Sequence, residues 1–374
     1  MTATFDVSVV TSGHDVADAR LHRIVAALVR AGCVVEVLGR GDPTAGPVGA
    51  KVHTSDGRGL VRRATRALML PWRTRGAVLV SMDPDVAIAC LPLRPLRRRR
   101  LVADVHEDYV ALLHDRAWAT GPRGWLGRQV AALAHWAAAR ADLTVVADEH
   151  IPPLAERCRR RVVVRNLPDP AMMAEARAAA RDAGASDRRA VYVGDVRRSR
   201  GLEWMVEAIA FAPDWTLDIV GPVSEPDAHW LAHRISAPDV AGRVRLHGRQ
   251  PPAEAWRIAA GAAVGMALLA DTPAFRTAMP TKVYEYLAAG MAVLATPLPR
   301  VAELLAESGA GALVTDAATA AATLRRWADE GAAELLAMRV AARRWSEQAT
   351  VAGSPYDDLA VELIELASTV RTAG

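Results

Sequence analysis

Twice along this chain, short apolar runs alternate with longer segments of helical periodicity, and that alternation restricts the fold more than any other feature. The first series predicts strands at Val7–Val10, Val34–Gly39, Ala77–Ser81, Leu101–Val105, Leu143–Ala147 and Val162–Val164, with helices over Asp18–Ala31 and Trp125–Arg140. Strands separated by helices point to a parallel sheet covered on both faces. The turn-rich Asn166–Leu167–Pro168–Asp169–Pro170 interrupts the series, and an Ala/Arg-rich helix and a polar patch at Asp182–Asp187 follow it. The second series predicts strands at Ala190–Val193, Thr216–Val220, Val244–His247, Val264–Leu269, Ala292–Thr296 and Gly311–Thr315. Its helices are Gly201–Ala212, Asp227–Ile235, Pro252–Gly261 and Thr281–Ala289, and a last helix, Pro355–Thr369, follows an irregular stretch. The fold class is α/β, as two doubly wound domains with a cleft between them, ligands being expected at the carboxyl ends of the strands.

Composition agrees with two ordinary cores: the 374 residues are 51% hydrophobic and 24% charged. Net charge is only +4, and almost all basic residues are Arg, the lysines being Lys51 and Lys282. The arginine run at Arg94, Arg97, Arg98, Arg99 and Arg100 reads first as a solvated loop, and second as a weak contact with anionic lipid or an anionic acceptor. Nucleic-acid binding is disfavoured, because aromatics are 5% of residues and do not interleave with the arginines. Cys33, Cys90 and Cys158 lack metal spacing and read as reduced interior thiols. With no charged leader ahead of Phe5 and no apolar span of membrane length, a cytoplasmic location is expected.

Chemistry concentrates in the segment from Met279 to Gly290. It reads as a loop, a short helix with Thr281 as candidate N-cap, and a glycine stop at Gly290. A helix N-terminus beside a lysine suits a phosphate, and Glu285, one turn after Lys282, suits ribose hydroxyls. The bland alternative is a Lys282–Glu285 pair with no ligand.

The segment closely resembles the nucleotide-sugar motif of family 4 of the GT-B glycosyltransferases, Pro-x-Lys-x-x-Glu-Tyr followed by small residues, Gly and a strand. Pro280, Lys282, Glu285, Tyr286, Gly290 and Ala292–Thr296 fill its positions. Tyr192–Val193–Gly194 to Arg200–Gly201–Leu202 resembles the family's phosphate turn, Leu246–His247–Gly248–Arg249 its base-binding turn, and Ala103–Asp108 its N-domain strand ending in a His. The resemblance implies the GT-B arrangement: residues 1–167 binding acceptor, 168–352 binding the nucleotide sugar, and 353–374 as a helix packing back on the first domain. It also implies that Glu285 holds the ribose, that Arg200 replaces the family's diphosphate Lys, and that Gly194, Gly248, Arg249, Pro280 and Thr281 line the donor. Two positions depart from the pattern. Thr277 stands where a sugar-contacting Glu is frequent, and Asp195 replaces the Arg of the phosphate turn, with Arg197 or Arg198 as candidate substitutes.

In the first half, Thr11–Ser12–Gly13–His14–Asp15 is either a connecting turn or a loop over the donor or acceptor. Arg20 is expected to face solvent. His106 is the candidate catalytic residue, against a structural role. Glu107 and Asp108 next to it are adjacent on an extended chain and diverge, so no metal is expected. Trp118, Trp125 and Trp136 are candidates for core or acceptor platform.

The resemblance implies a retaining transfer of a hexose-type sugar from a UDP-sugar, with GDP-sugar next, to a hydroxyl of a small specialised metabolite or a cell-surface saccharide. No cofactor or metal is implied, and Arg200, Lys282 and the helix terminus would stabilise the leaving diphosphate. The rival readings are a UDP-sugar 2-epimerase of the same fold and a non-catalytic sugar-nucleotide-binding subunit.

Overall fold

The computed structural model describes residues 5–372 apart from 56, 58, 93–98, 115–118, 168–173, 175–177, 179–185 and 352–353. Most of the arginine run, Trp118, the prolines after Leu167 and most of the Asp182–Asp187 patch lie outside the described residues.

The chain divides into two compact units, Met1–Asn166 with Ser354–Gly374, and Leu167–Gly353. The first contains β1 (Phe5–Asp15), α1 (Ala19–Arg30), β2 (Val35–Arg40), β3 (Lys51–Thr54), α2 (Leu60–Arg73), β4 (Gly76–Ser81), α3 (Pro84–Cys90), β5 (Arg100–Val105), α4 (Tyr109–His114), α5 (Gly121–Ala139), β6 (Leu143–Val146) and β7 (Arg161–Val163). The second contains β8 (Ser186–Val193), α6 (Leu202–Ala210), β9 (Thr216–Val220), α7 (Glu225–Ile235), β10 (Val244–Gly248), α8 (Pro252–Ala259), β11 (Ala262–Ala267), α9 (Pro273–Thr277), α10 (Thr281–Ala288), β12 (Ala292–Ala295), α11 (Pro299–Ser308), β13 (Gly311–Leu313), α12 (Ala317–Ala328) and α13 (Ala332–Val351). The last helix, α14 (Pro355–Thr372), returns to the first unit.

Both sheets are wholly parallel among the described strands. Their orders are β3-β2-β1-β4-β5-β6-β7 and β10-β9-β8-β11-β12-β13. In each sheet the order reverses beside the first strand, which leaves a crevice at the carboxyl ends of β1 and β4 and another at those of β8 and β11. In the first unit, Leu21, Ile24 and Leu28 of α1 share one core with Tyr356, Leu359 and Leu363 of α14. Ala67 and Leu70 of α2, Val86 and Cys90 of α3 and Ala138 of α5 cover the opposite face. Each fully buried aliphatic side chain in these layers contributes about 1.5–3 kcal/mol of transfer free energy.

Several expectations are corrected. The stretch before α14 is not irregular: α12 and α13 occupy it, α12 starting at a reciprocal cap between Asp316 and Thr319, and a further helix, α11, lies between β12 and β13. Arg20 is not solvated. Asp18 caps α1 by accepting from the Arg20 and Leu21 N–H groups at 2.9 and 3.1 Å. The Arg20 side chain then turns inward, 4% exposed, and forms a two-pronged pair with Asp104 at 2.8 and 2.7 Å. It also donates to the Val164 carbonyl at 2.9 Å and the Asn166 side chain at 2.7 Å, and lies 5.8 Å from the Tyr356 ring centroid. One buried guanidinium thus joins α1, β5, the end of the first unit's main segment and α14. Of the thiols, only Cys90 is interior, and burial pushes its pKa up to about 12; Cys33 and Cys158 are half-buried. Trp125 and Trp136 are exposed and outside the core.

Replacing Arg20 with Met strands the Asp104 carboxylate in the interior, and urea unfolding is expected to show a loss of about 3–5 kcal/mol. The double replacement Arg20→Met with Asp104→Leu is expected to recover most of it.

Candidate active site

The crevice of the first unit is organised around a carboxylate that the sequence reading missed. Asp83 follows β4 at the start of α3, yet its side chain makes no cap bond to that helix. Instead it receives the end of β1: Thr11 Oγ1 donates at 2.7 Å, Ser12 N–H at 2.8 Å and Gly13 N–H at 3.0 Å. His14 Nδ1 lies 2.9 Å from its other oxygen. Burial alone would raise the Asp83 pKa, but His14 and these donors hold it well below the usual carboxylate range. Burial likewise disfavours a charged His14, yet Asp83 overrides it and raises the ring to about 9. Gly13 therefore spends its N–H inside the protein, and an added Cβ would lie 3.0 Å from Asp83 and 2.9 Å from Arg63.

His106, just past β5, meets this pair. Its Nε2 lies 3.3 Å from His14 Nε2, the rings crossing edge to face at 4.8 Å. On its other side, His106 Nδ1 lies 4.0 Å from Asp104. His106 thus sits between two buried pairs, Asp83 with His14 and Asp104 with Arg20. Asp108 accepts from the Val110 and Ala111 N–H groups at 2.9 and 3.1 Å, so it caps α4.

The crevice of the second unit is built around Lys282. Pro280, with extended φ, takes the N-cap position of α10, so Thr281 is the first helical residue and makes no side-chain cap bond. That corrects the expected Thr281 cap. Lys282 in the first turn is buried, 8% exposed, with Nζ 3.5 Å from the Tyr192 ring centroid. The ammonium has no hydrogen-bond partner among the described residues. Burial, then the positive charge of Arg200, drives its pKa well below the lysine range, against the pull of Glu285 and Asp195. Gly194 ends β8 with φ of 133°, and a Cβ there would lie 3.3 Å from the Lys282 Nζ.

The phosphate-turn arginines divide their tasks. Arg198 donates to Asp227 from its backbone N–H at 3.2 Å and from Nε at 3.0 Å, and pairs with Glu203 at 2.9 Å. Arg197 pairs with Asp195 at 3.2 Å, which offsets the acidic departure within the turn itself. Arg200 lies against Tyr192 and within electrostatic reach of Lys282. Gly201, with φ of 86°, is where this turn passes the Leu268 carbonyl, which a Cβ would strike.

Glu285 is half-buried one turn after Lys282. Tyr286 points the other way, its hydroxyl accepting from the Val193 N–H at 3.1 Å and donating to the Met266 carbonyl at 3.2 Å, which joins α10 to β8 and β11. Gly290 takes φ of 75° after the helix, as the glycine stop requires. In the turn after β10, Gly248 has φ of 64°, His247 Nε2 lies 2.7 Å from Asp218, and Arg249 is exposed. Thr277 ends α9, and its side chain lies outside the described ones. Lys282, Gly194, Arg197, Arg200 and Glu285 thus gather at one strand-end crevice. Arg198 is bound into ion pairs at its edge, and Gly13 and His106 belong to the other unit's crevice.

Two outcomes follow. Because the folded-state pKa of His14 exceeds its ordinary value, its contribution is complete below pH 6.5 and lost as pH rises towards 9. Unfolding titrations are expected to show a fall of about 2–3 kcal/mol across that window, absent in His14→Gln. Tyr286→Phe leaves the buried Val193 N–H unsatisfied and is expected to cost about 1–3 kcal/mol in urea unfolding while nucleotide affinity is kept.

Residues 187–330 match the family model described as glycosyl transferases group 1. No curated protein matches the chain. Among solved structures, sucrose-phosphate synthase from Thermosynechococcus elongatus aligns with a TM-score of 0.71 at 16% identity, over 99% of this chain and 100% of that one. Anabaena HepE in complex with UDP-glucose aligns at 0.67 and 15% identity, over 99% and 100%. WaaG, a glycosyltransferase involved in lipopolysaccharide biosynthesis, aligns at 0.67 and 14%, over 96% and 99%. The second unit therefore carries a group 1 glycosyltransferase domain, within a chain that has the two-sheet fold of the GT-B glycosyltransferases.

Proposed function

We propose that the protein transfers a hexose-type sugar from a UDP-sugar to an acceptor hydroxyl with retention at the anomeric carbon. The acceptor class is a small specialised metabolite or a cell-surface saccharide. The observation that carries this reading is the Lys282 ammonium, buried against Tyr192 at the Gly194 turn without a hydrogen-bond partner among the described residues. An isolated buried cation is costly, and a diphosphate arriving at the turn would satisfy it. The solved complexes of HepE with UDP and with UDP-glucose support a uridine nucleotide as the first donor to test.

In this reading Glu285 accepts from the ribose hydroxyls, and Gly194 lets the diphosphate approach the backbone. Arg200 and Lys282 stabilise the charge that grows on the leaving oxygen as the glycosidic bond breaks. Arg197 keeps Asp195 from repelling it. Gly248 and Arg249 line the base, the helix terminus at Pro280 and Thr281 serves the diphosphate, and Thr277 stands for the sugar end. The acceptor hydroxyl attacks from the face that the diphosphate leaves, and its proton passes to the diphosphate oxygen. His106, 3.3 Å from His14, is the first unit's candidate catalytic residue. No metal or other cofactor is called on.

Calorimetry with UDP, GDP, dTDP and ADP is expected to rank UDP first. Lys282→Met is expected to weaken UDP by tenfold or more, about 1.4 kcal/mol or above, while raising the unfolding temperature of the free protein, because it removes an unpaired buried charge. Glu285→Ala is expected to lose affinity without that gain. Equal affinity in all three proteins contradicts the site. With an anomerically pure UDP-sugar, NMR of the product is expected to show retention; an inverted product, or donor isomerised without acceptor, contradicts the mechanism.

A further inference from the structure

On the face of the first sheet covered by α2, α3 and α5, the two outer helices turn apolar side chains to solvent. In α2, Val61, Leu68 and Trp72 recur at spacings of seven and four, which places them on one stripe, at 80%, 61% and 47% exposure. Ala67 and Leu70 supply the buried side of the same helix. In α5 the exposed positions include Trp125, Leu126, Leu133 and Trp136, while Ala131, Ala134 and Ala138 face inward. Both helices pack against α3, so the two stripes flank it on one side of the unit.

The charges on these helices have one sign. Leu60–Arg73 holds Arg62, Arg63, Arg66 and Arg73, Gly121–Ala139 holds Arg123 and Arg128, and neither contains Asp or Glu. Arg63 pairs with Asp85 and Arg66 is buried; Arg62 is exposed although already partnered, and Arg73 and Arg123 are exposed at the margins of the apolar stripes. Trp, Leu and Arg without any acid is the composition of a surface that lies in the interface of an anionic bilayer. A second copy of the chain fits less well, since a two-fold contact would set this basic face against itself. No helix among the described residues is long and apolar enough to cross a membrane.

We propose that the α2–α3–α5 face docks the protein on anionic phospholipid, with the tryptophans at headgroup depth and the exposed arginines on the lipid phosphates.

The test is co-sedimentation of the full chain with vesicles of phosphatidylcholine alone and with an equal part of phosphatidylglycerol. Wild type is expected to bind the anionic vesicles at least about tenfold more tightly, and to release in high salt. Leu133→Ser with Trp136→Ser, and separately Arg62→Gln with Arg73→Gln and Arg123→Gln, are each expected to lose about tenfold. Their thermal unfolding is expected to match wild type, because the replaced side chains are exposed; the arginine variant keeps the test decisive if the apolar one unfolds early. Absence of vesicle binding, equal binding to neutral vesicles, or unchanged binding by both folded variants overturns the proposal. So does a dimer in sedimentation velocity that the same variants abolish.

Discussion

A lysine ammonium enclosed against the Tyr192 ring, close to a glycine turn whose φ of 133° side-chain-bearing residues rarely adopt, is the constraint around which the second unit is arranged. Burying a charge without a partner is unfavourable, so the surroundings must hold it in place until an anion arrives. Tyr286 does part of this by fixing α10 to β8 and β11 through two hydrogen bonds, which sets where the first turn of the helix begins. Pro280 stops the helix from starting earlier, and Gly290 ends it before β12. Arg200 keeps the local potential positive, while the Asp195–Arg197 and Arg198–Asp227 pairs cancel within the turn.

The first unit places its charge at the equivalent point of its own sheet, with the opposite strategy. There the cation is paired: Asp83 gathers three donors from the end of β1 and holds His14 protonated. Arg20 likewise pairs with Asp104, so His106 lies between two buried carboxylates, each with its own cation. Parallel sheets with a reversal of strand order create both crevices, and residue chemistry puts a lysine unpartnered among the described residues in one and a paired histidine in the other.

Much of this was legible in the sequence, and what escaped has physical reasons. Fully buried parallel strands read as apolar runs, so most strands were placed within a residue or two, and Thr216–Val220 without error. β3 was missed because it is a half-buried edge strand, Lys-Val-His-Thr, with little apolar signal. α2 was missed because its buried side includes Arg66 and Pro71 while its outer side is apolar, which inverts the usual pattern. The alanines of α12 and α13 blur any periodicity, since a small side chain reads alike on either face. Lys282, Glu285 and Gly194 could be found because turns and helix ends impose local spacing. Asp83, His14 and the inward course of Arg20 could not, because their partners lie 69 or more residues away and only the sheet order brings them together.

That the chain holds just two lysines makes the central claim directly measurable, since Lys51 is exposed and Lys282 is buried. With lysine labelled by carbon-13 at Cε, NMR titration is expected to give two resonances, that of Lys51 and that of Lys282, the latter titrating well below the ordinary lysine range. Saturating UDP is expected to move only the second upward, as the diphosphate takes the place of the missing partner. A Lys282 titration that is already ordinary in the free protein, or that saturating UDP leaves where it was, would contradict the account.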